Sequence, residues 1–198
     1  MKAEGRPIIV LTGGPGGGKT TLIEELSRDP AWGGRVAALP EAIFAMRHLG
    51  ISMQEKLFQR VMVYQQMALE DGLERAFDPD DRRALLCHRG TLDPLAYWLD
   101  RGWAEAEFFE YTKTTRQEHY QRYTAVIHLV TAAKGAPSHY SRWPEAHRPE
   151  QIEEAIRLDE WLYQVWRDHP NYHRLGNEGC DWATKAEAAR AILERFIR

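Results

Sequence analysis

The sequence predicts an α/β fold: a doubly wound parallel sheet with helices on both faces. Two observations lead there. Four of five short strand-like runs are apolar almost throughout, and helical patterns alternate with them. A strand that is apolar at every position is buried on both faces, as in parallel sheets. Crossovers are then right-handed, and ligands fall at the carboxyl ends of the strands. The 198 residues suit one domain over 1–198 with a full core.

The elements follow in order. The first strand covers 7–11, and glycines follow it. A helix over 18–28 stops before Pro30, and Ala31-Trp32-Gly33-Gly34 reads as a turn. The second strand is 36–39, ended by Pro40-Glu41. A long helix covers 53–77, closed by Asp78-Pro79-Asp80. Leu57, Phe58, Val61, Met62, Tyr64, Ala68 and Leu69 form its apolar stripe, with Gln65 inside it. Residues 84–87 are the third strand, helices follow over 93–100 and 104–118, and 125–130 is the fourth strand. Residues 131–149, rich in Pro, Ser, His and Arg, read as a long lid-like loop. A helix over 150–168 carries Asp159 in the middle of its apolar side. A buried carboxylate needs a partner, so Asp159 pairs with an arginine or faces a polar pocket. The fifth strand is 172–175, and a last helix runs from 184 to the end.

Composition narrows the function classes. The net charge of −3 and the charged fraction of 28% do not favour nucleic acid or an anionic membrane surface. No apolar run approaches the ~20 residues of a membrane span. Residues 1–6 lack the apolar stretch of a signal peptide. Cys87 and Cys180 are far apart in sequence, which fits free thiols in a reduced, cytoplasmic setting. His169 and His173 flank Pro170, and Cys180 is not at zinc-ribbon spacing from them, so a solvated loop is the better reading than a metal site.

The chemistry is concentrated after the first strand. Gly13-Gly14-Pro15-Gly16-Gly17-Gly18-Lys19-Thr20 fits G-x-x-x-x-G-K-[ST], between a strand and a helix. The pattern arises by chance in under about 1% of chains of this length. Glycines let backbone N–H groups point at phosphates, so Gly14, Gly16, Gly17 and Gly18 are candidate nucleotide ligands. Lys19 reaches the β- and γ-phosphates, the Thr20 hydroxyl is placed for Mg²⁺, and Thr21 follows in the first helical turn, whose dipole favours anions.

Three strand tips could complete a site. Glu41 follows the second strand. It could accept a proton from a substrate hydroxyl, hold Mg²⁺ through water, or favour the dipole of a helix over 42–49. His88-Arg89-Gly90-Thr91-Leu92-Asp93 follows the third strand. Arg89 could hold a phosphate, while Asp93 could orient a Mg²⁺ water or cap the helix ahead of Pro94. The loop 131–149 holds Lys134, Arg142 and Arg148, basic groups that could neutralise a transferring phosphoryl group or remain solvated.

Residues 13–21, Leu39-Pro40-Glu41, Phe58-Gln59, His88 to Tyr97 and Arg148 to Ala155 recur in the order of a known group. The chain resembles the AAA-type ATPase/kinase family related to the ribosylnicotinamide kinase domain of bacterial NAD regulators. That family is similar in turn to thymidylate and deoxynucleoside kinases. The resemblance implies a three-layer P-loop NTPase fold with strand order 2-3-1-4-5 and ATP–Mg²⁺ at the P-loop. It implies an acceptor pocket lined by Glu41, the long helix and Arg89, with Lys19 and Thr20 in the P-loop roles. Arg89 would be the arginine of an Asp-Arg-Gly motif, Arg148 a lid arginine, and the loop near Asn177 the base-holding loop. The chain departs from the pattern at His88, where the motif has an acid that helps hold Mg²⁺. Either Glu41 and Asp93 take over the metal, or turnover is weak, or nucleotide binds without phosphoryl transfer.

The first functional expectation is therefore ATP-dependent phosphoryl transfer to a small, nucleoside-like acceptor. A nucleotide-controlled binding module and a plain NTPase are the alternatives. GTP stays open beside ATP, since no guanine-reading Asn/Thr-Lys-x-Asp signal is present. Seven tryptophans fit either a large core or a homodimer face.

Overall fold

The computed structural model describes residues 6–43, 49–78, 80–140 and 151–197. Arg142 and Arg148 therefore lie outside the described residues.

One five-stranded parallel sheet organises the chain. Its strands are β1 (Ile8–Thr12), β2 (Val36–Leu39), β3 (Ala84–His88), β4 (Ala125–Leu129) and β5 (Tyr172–Leu175), in the order β2-β3-β1-β4-β5. β1, β3 and β4 are buried at every residue, as their apolar sequences require. The register sets Leu11 against His88, Thr12 against His128 and Leu39 against Cys87. The carboxyl ends of the inner strands thus share one edge, where the P-loop begins.

Nine helices are described: α1 (Lys19–Arg28), α2 (Pro30–Gly33), α3 (Lys56–Ala76), α4 (Asp93–Asp100), α5 (Glu105–Thr112), α6 (Arg116–Arg122), α7 (Pro137–Tyr140), α8 (Ile152–Trp166) and α9 (Trp182–Glu194). Successive strand residues point to opposite faces. Ile8, Val10, Leu85, Cys87 and Val126 pack against α3, α4, α5 and α8 through Val63, Leu95, Trp98, Phe108, Leu162 and Trp166. Ile9, Leu11, Leu86, Ile127 and Leu129 pack on the other face against Leu22 and Leu26 of α1 and Ala189 and Leu193 of α9. No helix among the described residues is long and apolar enough to cross a membrane.

Several local expectations need correction. The turn expected at 31–34 is the short helix α2, started by Pro30 and capped by the Asp29 carboxylate, which accepts from Ala31 N–H. The helix expected over 104–118 is two helices. Lys113 adopts φ 55° and ends α5, and a Thr115–Glu118 capping box starts α6. On α3 the buried residues are Phe58, Gln59, Val63, Gln66 and Glu70, while Leu57 and Tyr64 are exposed. Gln59 and Gln66, not Gln65, are the buried glutamines of this helix. Of the loop expected over 131–149, the described part is a turn that ends in α7.

The two thiols differ in setting. Burial beside Glu70 pushes the Cys87 thiol well above its ordinary value, whereas Cys180 is half-buried after β5.

Candidate functional site

The P-loop is held in shape from behind. Gly13 has φ 122°, and a Cβ there would lie 2.0 Å from the Leu129 carbonyl oxygen. Gly18 caps α1 at φ 96°, and a Cβ there would lie 2.2 Å from Trp182 Cζ3. Both positions need glycine for conformation and for space. The Gly14 N–H donates to Asp159 Oδ1 at 2.8 Å, and the Gly17 N–H donates to the Gly14 carbonyl at 3.2 Å. These two amides are therefore engaged within the protein. The Gly16 carbonyl accepts from Ala132 N–H at 3.3 Å, and Thr131 Oγ1 donates to the Pro15 carbonyl. At Lys19, Thr20 and Thr21, the first turn of α1 presents N–H groups without intrahelical partners.

Asp159 anchors this arrangement. Its Oδ1 accepts from Gly14 N–H, from Thr131 N–H at 3.0 Å and from His128 Nε2 at 3.0 Å, and His128 Nδ1 in turn meets the Tyr172 hydroxyl at 2.8 Å. Burial opposes the charge on Asp159, but His128 and the two amides outweigh it and hold its carboxyl below the usual value. The expected arginine partner is Arg174, whose Nη2 forms an ion pair with Oδ2 at 3.7 Å without a hydrogen bond.

Lys19 is 6% exposed and donates to the carbonyls of Gly13 at 2.7 Å and Gly14 at 3.0 Å. Burial, then Arg89, lowers its ammonium to about 7, against the pull of Glu41, Asp93 and Asp159. Phosphate oxygens would replace the two carbonyls as acceptors and favour the charged form.

Opposite Lys19 lies a tight charged cluster. Arg89 Nε donates to Glu41 Oε1 at 2.7 Å, and its Nη1 to Asp93 Oδ2 at 3.2 Å. Burial works against the Glu41 charge, but Arg89, His88 and Lys19 win and bring its carboxyl to about 2. Arg89 itself adopts φ 73°, rare for a residue with a side chain. Its N–H continues the sheet ladder to the Leu11 carbonyl, and its own carbonyl accepts from Gln66 Nε2 at 3.3 Å. Gln66 also donates to Glu70, which holds Arg122 and the Tyr123 hydroxyl.

Asp93 is the first residue of α4, and its carboxylate makes no cap. It turns inward and accepts from the Thr12 hydroxyl at 3.0 Å and from Trp166 Nε1 at 2.8 Å, as well as from Arg89. Its acceptors are committed to the core. Asn177 is also engaged: its amide nitrogen donates to the carbonyls of Thr131 and Lys134, and its oxygen accepts from the buried Lys185. It clamps the loop after β5 to the loop after β4.

His88 occupies the tip of β3. Its Nε2 stands 3.1 Å from Thr20 Oγ1, and its Nδ1 lies 3.7 Å from Glu41 Oε2 without a hydrogen bond. Burial lowers it to about 3, with Lys19 and Arg89 adding and Glu41 opposing, so the ring is neutral. Among the described residues no group of three His, Cys, Asp or Glu side chains could hold a metal by itself. An ion that arrives on a polyphosphate brings phosphate and water ligands, and one or two protein donors then suffice. The Thr20 hydroxyl with the neutral His88 fits that requirement.

Sequence reasoning missed Gln66, Glu70, Lys185 and Trp182. Only the Gln66–Glu70 pair carried a signal, two polar residues four apart on one helix face.

A family model described as "AAA domain" matches residues 8–185. No curated protein matches the chain. Among solved structures, deoxyadenosine kinase from M. mycoides with bound dATP has a TM-score of 0.55 at 14% identity, covering 96% of this chain and 100% of that chain. A second structure of deoxyadenosine kinase from M. mycoides, with the products dCMP and a flexible dCDP, has a TM-score of 0.59 at 15% identity, covering 95% and 99%. At such identity the likeness is one of fold.

Proposed function

The chain belongs to the AAA domain family of P-loop proteins, and from that premise we propose that it binds ATP with a divalent cation and transfers a phosphoryl group to a small, nucleoside-like acceptor. The observation that carries this reading is the Arg89–Glu41 ion pair just after the carboxyl ends of the adjacent strands β3 and β2, beside β1, which leads into the Lys19 loop.

In this reading Lys19 leaves the Gly13 and Gly14 carbonyls and grips the β- and γ-phosphates. The N–H groups at the start of α1 bind phosphate oxygens. Thr20 would hold the cation, which when bound neutralises charge on the phosphate oxygens. Arg89 stays charged at any working pH and stabilises the transferring group. Glu41, at about 2, is too weak a base to take a proton early. Its role is to orient the acceptor hydroxyl, which suffices where the transition state is loose. Arg142 and Arg148 would add positive charge from 141–150. Asp93 and Asn177 support this machinery without reaching the ligand. A cytoplasmic setting goes with ATP as cofactor and with two free thiols.

The test is release of ADP with Mg–ATP and a panel of nucleosides and nucleotides. Phosphorylation of one acceptor class, abolished in Lys19→Ala with the fold retained, is the expected result. Calorimetric binding of ATP with no phosphorylated acceptor would instead favour a nucleotide-controlled binding module, the reading to which His88 lends weight. ATP loss without any acceptor would mark a plain NTPase.

A further inference from the structure

Thr20 Oγ1 meets the His88 imidazole, with Nε2 at 3.1 Å. The other ring nitrogen, Nδ1, is buried, makes no hydrogen bond and stands 3.7 Å from Glu41 Oε2. The sequence in space is carboxylate, imidazole, hydroxyl. A histidine that ligates a metal commonly turns its far N–H to a carboxylate, which fixes the ring and frees the near nitrogen's lone pair. Adjacent ligands of an octahedral ion at about 2.1 Å are about 3.0 Å apart, close to the Thr20–His88 separation. Glu41 Oε1 is held by Arg89, which leaves Oε2 facing His88. Asp93 is committed to Thr12, Trp166 and Arg89, so its carboxylate does not compete with the imidazole at this tip.

Mg²⁺ is a hard ion that takes oxygen ligands, whereas an imidazole donor suits transition ions. We propose that His88 Nε2, oriented by Glu41, is a direct nitrogen ligand beside Thr20 of the divalent ion that accompanies the nucleotide, and that the chain therefore binds the nucleotide complex of a transition ion more tightly than that of Mg²⁺, with Mn²⁺ as the paramagnetic probe. The inference rests on the nucleotide-binding reading of the P-loop. In the tautomer of the neutral ring that carries its hydrogen on Nδ1, the Nε2 lone pair is free for the ion and no proton need leave the protein.

The experiment uses the full chain with Mn²⁺ and a non-hydrolysable ATP analogue. Pulsed electron paramagnetic resonance reads nitrogen coordinated to Mn²⁺, and histidine labelled with ¹⁵N distinguishes the imidazole from the adenine ring. Calorimetry with the Mn²⁺ and Mg²⁺ complexes, in wild type and His88→Asp, reads the preference. A coordinated-nitrogen coupling that changes isotope with the histidine label is expected. So is a Mn²⁺ over Mg²⁺ preference that falls about tenfold or more in His88→Asp. If the nucleotide complex binds but shows only phosphorus and water couplings, His88 is not a ligand and the inference fails, while the P-loop reading stands. If neither ion's nucleotide complex gives heat with folded protein, the P-loop reading itself fails. Should His88→Asp not fold, the isotope comparison in wild type decides alone.

Discussion

Replacing Asp159 by alanine removes one oxygen that three buried donors share: Gly14 N–H, Thr131 N–H and His128 Nε2. A buried donor left without an acceptor costs about 1–3 kcal/mol, so three cost between about 3 and 9 kcal/mol. Relaxation of the loops and entry of water favour the lower end, and we expect about 4 kcal/mol. Asparagine behaves differently. Its oxygen can stay at the Oδ1 position, and its nitrogen takes the Oδ2 position, where no hydrogen bond is lost, only the 3.7 Å ion pair with the part-exposed Arg174. The acceptor is then neutral and its bonds weaker, but the buried charge is gone, and the net cost should be about 1–2 kcal/mol. Urea unfolding followed by tryptophan fluorescence measures both variants, with the midpoint compared at constant slope. Acid gives a second reading. The folded carboxyl titrates below its ordinary value, so its stabilisation is present above about pH 4 and is lost as the pH falls through the folded value. That share of the acid sensitivity should vanish in Asp159→Asn. If Asp159→Ala costs under about 1 kcal/mol, or if the two variants cost the same, the carboxylate does not hold the loop as argued.

Gly18→Ala would force a Cβ to within 2.2 Å of Trp182 Cζ3 at φ 96°. It should cost about 1–3 kcal/mol and shift tryptophan emission, and an unchanged spectrum and melt would contradict the packing. Gly90→Ala brings a Cβ to 2.9 Å from Trp166 Cζ2 and Val10 Cγ2, so a thermal midpoint lowered by an overpacking cost of about 1–3 kcal/mol is expected. A midpoint equal to wild type would count against it. Gln66→Leu removes the donor that holds the Arg89 carbonyl. Calorimetry should find nucleotide affinity unchanged, while turnover falls about tenfold or more as Arg89 loses its fixed backbone. A loss confined to affinity would place Gln66 elsewhere in the mechanism.

The parts of the fold that were readable are those fixed by local chemistry. β1, the P-loop and α1 follow from glycine spacing between an apolar run and a helix, and the apolar strands announce a sheet buried on both faces. The strand order came from the resemblance, because periodicity carries no information about which strands are neighbours. A lysine at φ 55° carries no sequence mark, so the only local sign of the break at Lys113 is the Thr115–Glu118 capping box that starts the next helix. The phase of α3 was misread for a physical reason. Its buried face carries Gln66 and Glu70, whose polarity is met by a hydrogen-bond network, and Gln59, which donates to the Met53 carbonyl at 3.4 Å, while Leu57 and Tyr64 lie outward. Hydrophobicity therefore pointed one residue away, to Gln65. Asp159 was legible as a buried carboxylate, but its partners lie 145, 28 and 31 residues away along the chain, beyond any local pattern.

The contrast between the two thiols has a practical side. Cys87 is shut inside the sheet and its thiolate is strongly disfavoured, so alkylating probes will pass it by in the native state. Cys180 is half-buried three residues after Asn177 and two before Trp182, the residue that walls Gly18. A maleimide dye or spin label would attach there in the unaltered chain. Movement of this loop relative to the phosphate cradle could then be followed by spectroscopy without engineering a cysteine in or out.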